Sequence, residues 1–270
     1  MAKTPRIGLG VDFGGTKLLG ALVDLDSGEV LATAKRKSSA DDSADEVVQR
    51  LFDTVDATLK AGKMKGSDLA GIGVGIAGQV DADAGVLLAA PNLSQAAIDI
   101  PIVDLLAKRY KAPAVLRNDV QVAAAGELGH GAGKGVDSFL CCFVGTGVGG
   151  AVVVGGQLVT GASGSAGEIG HVIVQAGGRL CGCGGHGHLE AYASRTAITR
   201  AILGQLKLGR TSILTELAPE IDFRDPFAGA ALRSGVLARA VGAIDTLLGG
   251  IRAQAVRQGL GRRRCRGRGS

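Results

Sequence analysis

The stretch Asp12-Phe13-Gly14-Gly15-Thr16-Lys17 separates two apolar runs, Ile7 to Val11 and Leu18 to Val23. The runs read as strands and the glycines as the turn between them. A glycine turn of this kind lets several backbone N–H groups converge on an anion with no Cβ in the way. Thr16 adds a hydroxyl and Lys17 a positive charge, and Asp12, at the strand end, could orient a hydrated Mg²⁺. An ordinary hairpin turn is the plain alternative. A second copy of the pattern weighs against it: Phe139 to Val144, then Gly145-Thr146-Gly147-Val148-Gly149-Gly150, then Ala151 to Val154. That loop formally matches G-x-G-x-x-G, but a dinucleotide loop should open a helix, and here three valines follow as a strand. Two strand–glycine turn–strand units, one per half of the chain, predict two related α/β lobes around a cleft.

Working outward, Val30 to Ala34 predicts a third strand, and Asp45 to Ala61 a helix with Val47, Val48, Leu51, Val55 and Leu59 on one face. Ile72 to Ile76 and Ala114 to Leu116 read as strands. Ile102 to Tyr110, Gln121 to Leu128 and Ala191 to Leu203 read as helices. Of the 65 residues from Gly126 to Glu190, 21 are glycine, which predicts a loop-rich region whose backbone can approach a ligand closely.

The chain has 270 residues, 46% hydrophobic and 20% charged, enough for a sizeable core in one large domain or two smaller ones. Glycine, at 45 residues, shows no three-residue period, which excludes a collagen-like chain. No apolar run reaches the ~18 residues of a spanning helix, and the N-terminus has no signal-peptide core, so a cytoplasmic protein without membrane contact is expected. The formal charge of +5 misleads. Asp245 is the last acid of the chain, and Thr246 to Ser270 hold seven of the 30 basic residues, all arginine. The remainder carries 23 basic against 25 acidic residues, a net charge of −2, so the basic balance belongs to the tail and no nucleic-acid partner is expected. The cysteines are Cys141, Cys142, Cys181, Cys183 and Cys265, a poor disulfide framework. Cys141 and Cys142 are expected as small buried strand residues, and Cys181-x-Cys183 suggests a metal.

At these residues the sequence resembles the ROK family of sugar kinases, repressors and related proteins, within the actin-like ATPase superfamily. Among its kinases it is most similar to bacterial glucokinases. The motifs are Asp12-x-Gly14-Gly15-Thr16-Lys17, Pro91-Asn92-Leu93, Asn118-Asp119-Val120, the Gly145 to Gly150 loop, Gly167-Glu168-Ile169-Gly170-His171, and Cys181-x-Cys183-Gly184-x-x-Gly187-x-Leu189-Glu190. The resemblance implies an α/β, actin-like (ribonuclease H-like), two-lobed ATPase fold with the sugar in the cleft. The expected division is 1–119 with the first phosphate loop, 120–249 with the second phosphate loop and a zinc-bearing sugar loop, and a basic tail, 250–270.

The resemblance also implies roles. Asp119 would be the general base that accepts the hydroxyl proton as the sugar oxygen attacks the γ-phosphorus of ATP. Asn118 would bind an adjacent hydroxyl, with an Asx turn capping the next helix as the plain alternative. Glu168, His171 and Glu190 match sugar-binding positions, and Gly78 and Asn92 weaker ones. Glu190 could instead be a favourable charge at a helix N-terminus. Asp12, Gly14, Gly15, Thr16, Lys17, Gly145, Thr146, Gly147 and Gly149 would hold ATP and Mg²⁺. His171, Cys181 and Cys183 match three zinc ligands of a structural site. His188 stands where the family has a third cysteine, with His186 as competitor and a metal-free thiol pair as the plain reading.

After about Gly249 the resemblance stops. The Arg/Gly-rich ending, Arg262 to Ser270, reads as a frameshifted or truncated C-terminus or as a basic tail that binds RNA or anionic surfaces. The expected function is ATP-dependent phosphorylation of the 6-hydroxyl of glucose or a related hexose. Kinases for N-acetylglucosamine, N-acetylmannosamine or fructose, a sugar-binding paralogue with impaired catalysis, and a sugar-sensing regulator are the alternatives. The resemblance further implies a homodimer, and polyphosphate stays open as donor.

Overall fold

The computed structural model describes residues 6–15, 17–90 and 93–212. Thr16 and Asn92, the expected end of the second lobe, Cys265 and the basic tail lie outside the described residues.

The chain begins with three antiparallel strands, β1 (Ile7–Phe13), β2 (Lys17–Asp24) and β3 (Val30–Lys37), followed by helix α1 (Ala44–Ala61). Strand β4 (Gly71–Ile76), a small hairpin of β5 (Gln79–Asp81) and β6 (Val86–Ala89), helix α2 (Ile102–Tyr110) and strand β7 (Ala114–Asn118) come next. The main sheet has the order β3-β2-β1-β4-β7, with β4 parallel to β1 and β7 parallel to β4. Its centre is apolar at alternate positions: Leu9, Val11, Leu18, Leu22, Ile72, Val74, Ile76 and Leu116 are all buried. Helix α1 starts at a capping box, where the Ser43 side chain accepts from Glu46 N and the Glu46 carboxylate accepts from Ser43 N. Its buried stripe, Val47, Leu51, Val55 and Leu59, faces the sheet. The helix lies so close to β2 that a Cβ on Gly20 would run into Thr58 Oγ1.

Helix α3 (Asp119–His130) follows β7 without a loop. It packs on β4 and β7 of the main sheet and also on the second sheet. That sheet is an antiparallel meander of β8 (Phe139–Val144), β9 (Val148–Val154) and β10 (Gln157–Val159), in the order β10-β9-β8. Glycines on both sides let α3 in. A Cβ on Gly75 would sit 3.4 Å from Val122 Cβ, and one on Gly149 would sit 2.6 Å from Val120 Cγ2. The glycine-rich stretch then leads through a 3₁₀ turn (Ile169–His171) to α4 (Glu190–Ala193) and α5 (Arg195–Lys207). Among the described residues no helix is long and apolar enough to cross a membrane.

Two expectations are corrected here. The helix read from Ala191 to Leu203 is two helices, because Ser194 leaves helical geometry and its side chain accepts from Ala197 N at 3.1 Å, an N-cap that starts α5 afresh. Neither Cys141 nor Cys142 is fully buried. The two-residue period of β8 turns Cys141 toward α3, beside Leu128 and Phe139, and leaves Cys142 exposed on the opposite face with Leu140, itself 54% exposed.

Candidate active site

The parallel strands β1, β4 and β7 end level with one another, since Phe13 pairs with Ile76 and Ile76 with Asn118. The carboxyl ends of parallel strands are where α/β sheets open toward a ligand. Asp12 stands one residue from the end of β1, and Gly14 N donates to Lys17 O at 3.0 Å to close the turn beside it. Asp119 opens α3 at the end of β7, and its carboxylate accepts from Val120 N at 2.9 Å. Burial pushes the Asp119 carboxyl above the ordinary carboxylate range; the Val120 N–H opposes the shift and the charge of Asp12 adds to it. Burial raises Asp12 too, against the pull of Lys17.

Asn118 is the N-cap of α3: its Oδ1 accepts from Val120 N at 2.9 Å and Gln121 N at 3.3 Å. Its Nδ2 donates to Gly78 O at 3.1 Å, which ties two expected sugar-site residues together. Gly78 is required by close approach, as a Cβ there would run into Ala89 O. The capping alternative and the ligand expectation thus fall on one side chain.

The second glycine turn is closed by Gly145 N, which donates to Gly147 O at 2.8 Å. Residues that no sequence motif singles out clamp it from α5. Arg195 N donates to Gly145 O at 2.9 Å, Arg195 Nη2 to Thr146 Oγ1 at 3.3 Å, and Thr196 Oγ1 to Thr146 O at 3.1 Å. The local signal that could have found them is Ser194 as a helix N-cap.

The loop carrying Glu168 and His171 is pressed onto β9 through glycines. A Cβ on Gly170 would run into Val148 O, and one on Gly150 would run into Gly167 O. Burial raises the Glu168 carboxyl; His171 lowers it, and the charges of Asp119 and Glu190 raise it further. Asp119 is therefore within electrostatic reach of both Asp12 and Glu168.

His171, Cys181, Cys183 and His188 bring one donor atom each to within 4.8 Å of one another. Cys183 Sγ lies 3.2 Å from His188 Nδ1. A tetrahedral zinc with two thiolates and two imidazoles has donor–donor edges of about 3.3–3.8 Å, so this set fits that ion with small adjustments. His186 is not in the cluster; its backbone pairs with Leu180 instead. Glu190 joins the cluster to the second glycine turn. Its Oε2 accepts from Val148 N at 3.0 Å, and Cys181 Sγ donates to its Oε1 at 3.4 Å.

The sequence profile described as the ROK family matches residues 8–246. A glucokinase of Thermotoga maritima is 36% identical over 210 residues, which cover 78% of this chain and 64% of that protein. A xylose repressor of Caldicellulosiruptor bescii is 28% identical over 182 residues, 67% of this chain and 45% of the repressor. Among solved structures, a glucokinase from Streptomyces griseus in complex with glucose and AMPPNP superposes with a TM-score of 0.66 at 31% identity, over 87% of this chain and 74% of that one. The chain thus spans somewhat less than two thirds of the length of the first curated relative.

Proposed function

Since the chain belongs to the ROK family and has its actin-like two-lobed fold, we propose that it is an ATP-dependent kinase of glucose or a closely related hexose. One observation carries the reading. Asp119 stands at the end of β7, level with the end of β1 that carries Asp12 and the first glycine turn, and Glu168 feels its charge. A base near both a phosphate grip and a set of hydroxyl acceptors is what phosphoryl transfer to an alcohol needs.

In this reading the nucleotide's phosphates lie on the two glycine turns, held by the backbone N–H groups of Gly15, Thr146 and Gly147 with Thr16 and Lys17 contributing, while the N–H groups of Gly14, Gly145 and Val148 close and anchor the turns. Two desolvated carboxylates close together, Asp12 and Asp119, suit a divalent cation, and Asp12 would hold Mg²⁺ through its water shell. Glu168, His171, Glu190, Asn118, Gly78 and Asn92 orient the sugar. The 6-hydroxyl oxygen attacks the γ-phosphorus, the bond to the β–γ bridging oxygen breaks, ADP leaves, and the hydroxyl proton passes to Asp119. His171, Cys181, Cys183 and His188 would hold zinc, which supplies a fixed tetrahedral node that stiffens the loop. These residues in turn set the direction of Glu168.

The test is the full chain with Mg·ATP and a panel of hexoses, read by ADP release, beside Asp119→Ala. Turnover of glucose by the native chain and a fall of about 10²–10⁴-fold in the variant, with glucose binding kept in calorimetry, is the expected result. Turnover retained in Asp119→Ala removes that residue from the chemistry, and glucose binding without turnover in the native chain makes the protein a sugar binder.

A further inference from the structure

We infer that Glu190 is a positioning residue for the second glycine turn, so that one carboxylate serves the sugar side and the nucleotide side at once. The inference rests on the kinase reading above, in which that turn holds phosphate. Glu190 opens α4, two residues after the metal-cluster residue His188, and would ordinarily be expected to look only toward that loop. Instead its Oε2 accepts the Val148 N–H at 3.0 Å, across 42 residues of sequence.

The contact is built into the turn. A Cβ on Gly147 would run into Glu190 Oε2, so the carboxylate reaches Val148 only because residue 147 has no side chain. Val148 is 4% exposed, and Gly170 presses on its carbonyl oxygen from the other side. Val148 is therefore tethered at its N–H by Glu190 and closely packed at its C=O by Gly170. It pairs with Val144 to close the hairpin, so fixing Val148 fixes the direction in which Gly145, Thr146 and Gly147 point. A hydrogen bond to an ionised acceptor is roughly twice as strong as a neutral one, which suits a carboxylate to this task.

A carboxylate has room for several donors. A sugar hydroxyl on Glu190 can therefore bind while Oε2 stays on Val148. Whatever steadies Glu190 from the sugar side then steadies the turn, and by reciprocity a nucleotide on the turn favours sugar at Glu190.

The experiment measures Mg·ADP affinity by calorimetry, with and without glucose, for the native chain, Glu190→Ala, Glu190→Gln and Gly147→Ala, with melting curves to verify folding. In the absence of any sugar, Glu190→Ala and Gly147→Ala should weaken Mg·ADP about tenfold, equivalent to ~1.4 kcal/mol. Glu190→Gln keeps an oxygen that accepts from Val148 N but loses the charge, so it should fall in between, at about threefold. The native chain should also bind Mg·ADP more tightly with glucose present, and the two disruptive variants should lose that gain. Unchanged sugar-free Mg·ADP affinity in folded Glu190→Ala overturns the inference and leaves Glu190 on the sugar side alone. Equal weakening by Glu190→Gln and Glu190→Ala overturns it as well. Should Glu190→Ala fail to fold, Glu190→Ser, whose hydroxyl is too short to reach Val148 N, against Glu190→Gln makes the same comparison. Failure of the native chain to bind Mg·ADP at all removes the kinase reading, and the inference with it.

Discussion

Replacing Asn118 by alanine separates the two duties of that side chain. The amide oxygen caps α3 by accepting from Val120 N and Gln121 N, and the amide nitrogen donates to Gly78 O. Losing an N-cap costs about 1 kcal/mol, and leaving the Gly78 carbonyl without this donor costs about another 1 kcal/mol. A chain of this size loses about 2–4 °C of melting temperature per kcal/mol, so Asn118→Ala should melt about 4–8 °C lower in scanning calorimetry. Asn118→Ser keeps a capping oxygen and loses only the reach to Gly78, so it should fall by about half as much. The capped N–H of Val120 also holds the Asp119 carboxylate, so turnover should fall with stability in Asn118→Ala. A melting temperature unchanged in Asn118→Ala would refute the structural duty and leave Asn118 a sugar ligand only.

Asp119, Asp12 and Glu168 are all raised by burial, so the folded state favours their neutral forms. A base must be ionised, and kcat/KM should therefore fall as pH drops through the raised Asp119 value. The stability contributed by the neutral forms is lost as pH rises through the same values, so Asp119→Asn should melt higher than the native chain at pH 8; a lower melting temperature there contradicts the assignment. Cys181→Ser should lose zinc in elemental analysis and glucose affinity together, and full glucose affinity in the metal-free variant would dismiss the link between cluster and sugar loop. Gly20→Ala forces a methyl against the buried Thr58 side chain and should destabilise by about 1–3 kcal/mol in denaturant unfolding.

Both glycine hairpins are legible in the sequence because each couples a turn signal to flanking apolar runs. Helix α2 is legible at its observed bounds, Ile102–Tyr110, because its buried positions Ile102, Leu106 and Tyr110 keep helical spacing. Strands β5, β6 and β10 escape such a reading; with three or four residues each they are too short to show a period. The break at Ser194 is hidden because apolar spacing continues through it, while the cap is a matter of one side-chain hydrogen bond. Candidate site residues carried by motifs, Asp12, Asn118, Asp119, Glu168 and the four residues of the His/Cys cluster, can be listed from the sequence. Their cross-links cannot. Glu190 with Val148 and Thr196 with Thr146 are separated by more than 40 residues, and no local pattern announces such a pair.

Helix α3 has a mechanical consequence. It is wedged between Gly75 of one sheet and Gly149 of the other, with Asp119 at its very first turn. A methyl at Gly149 would push this rod off the sheet beneath it, and the acid at its tip would shift with it.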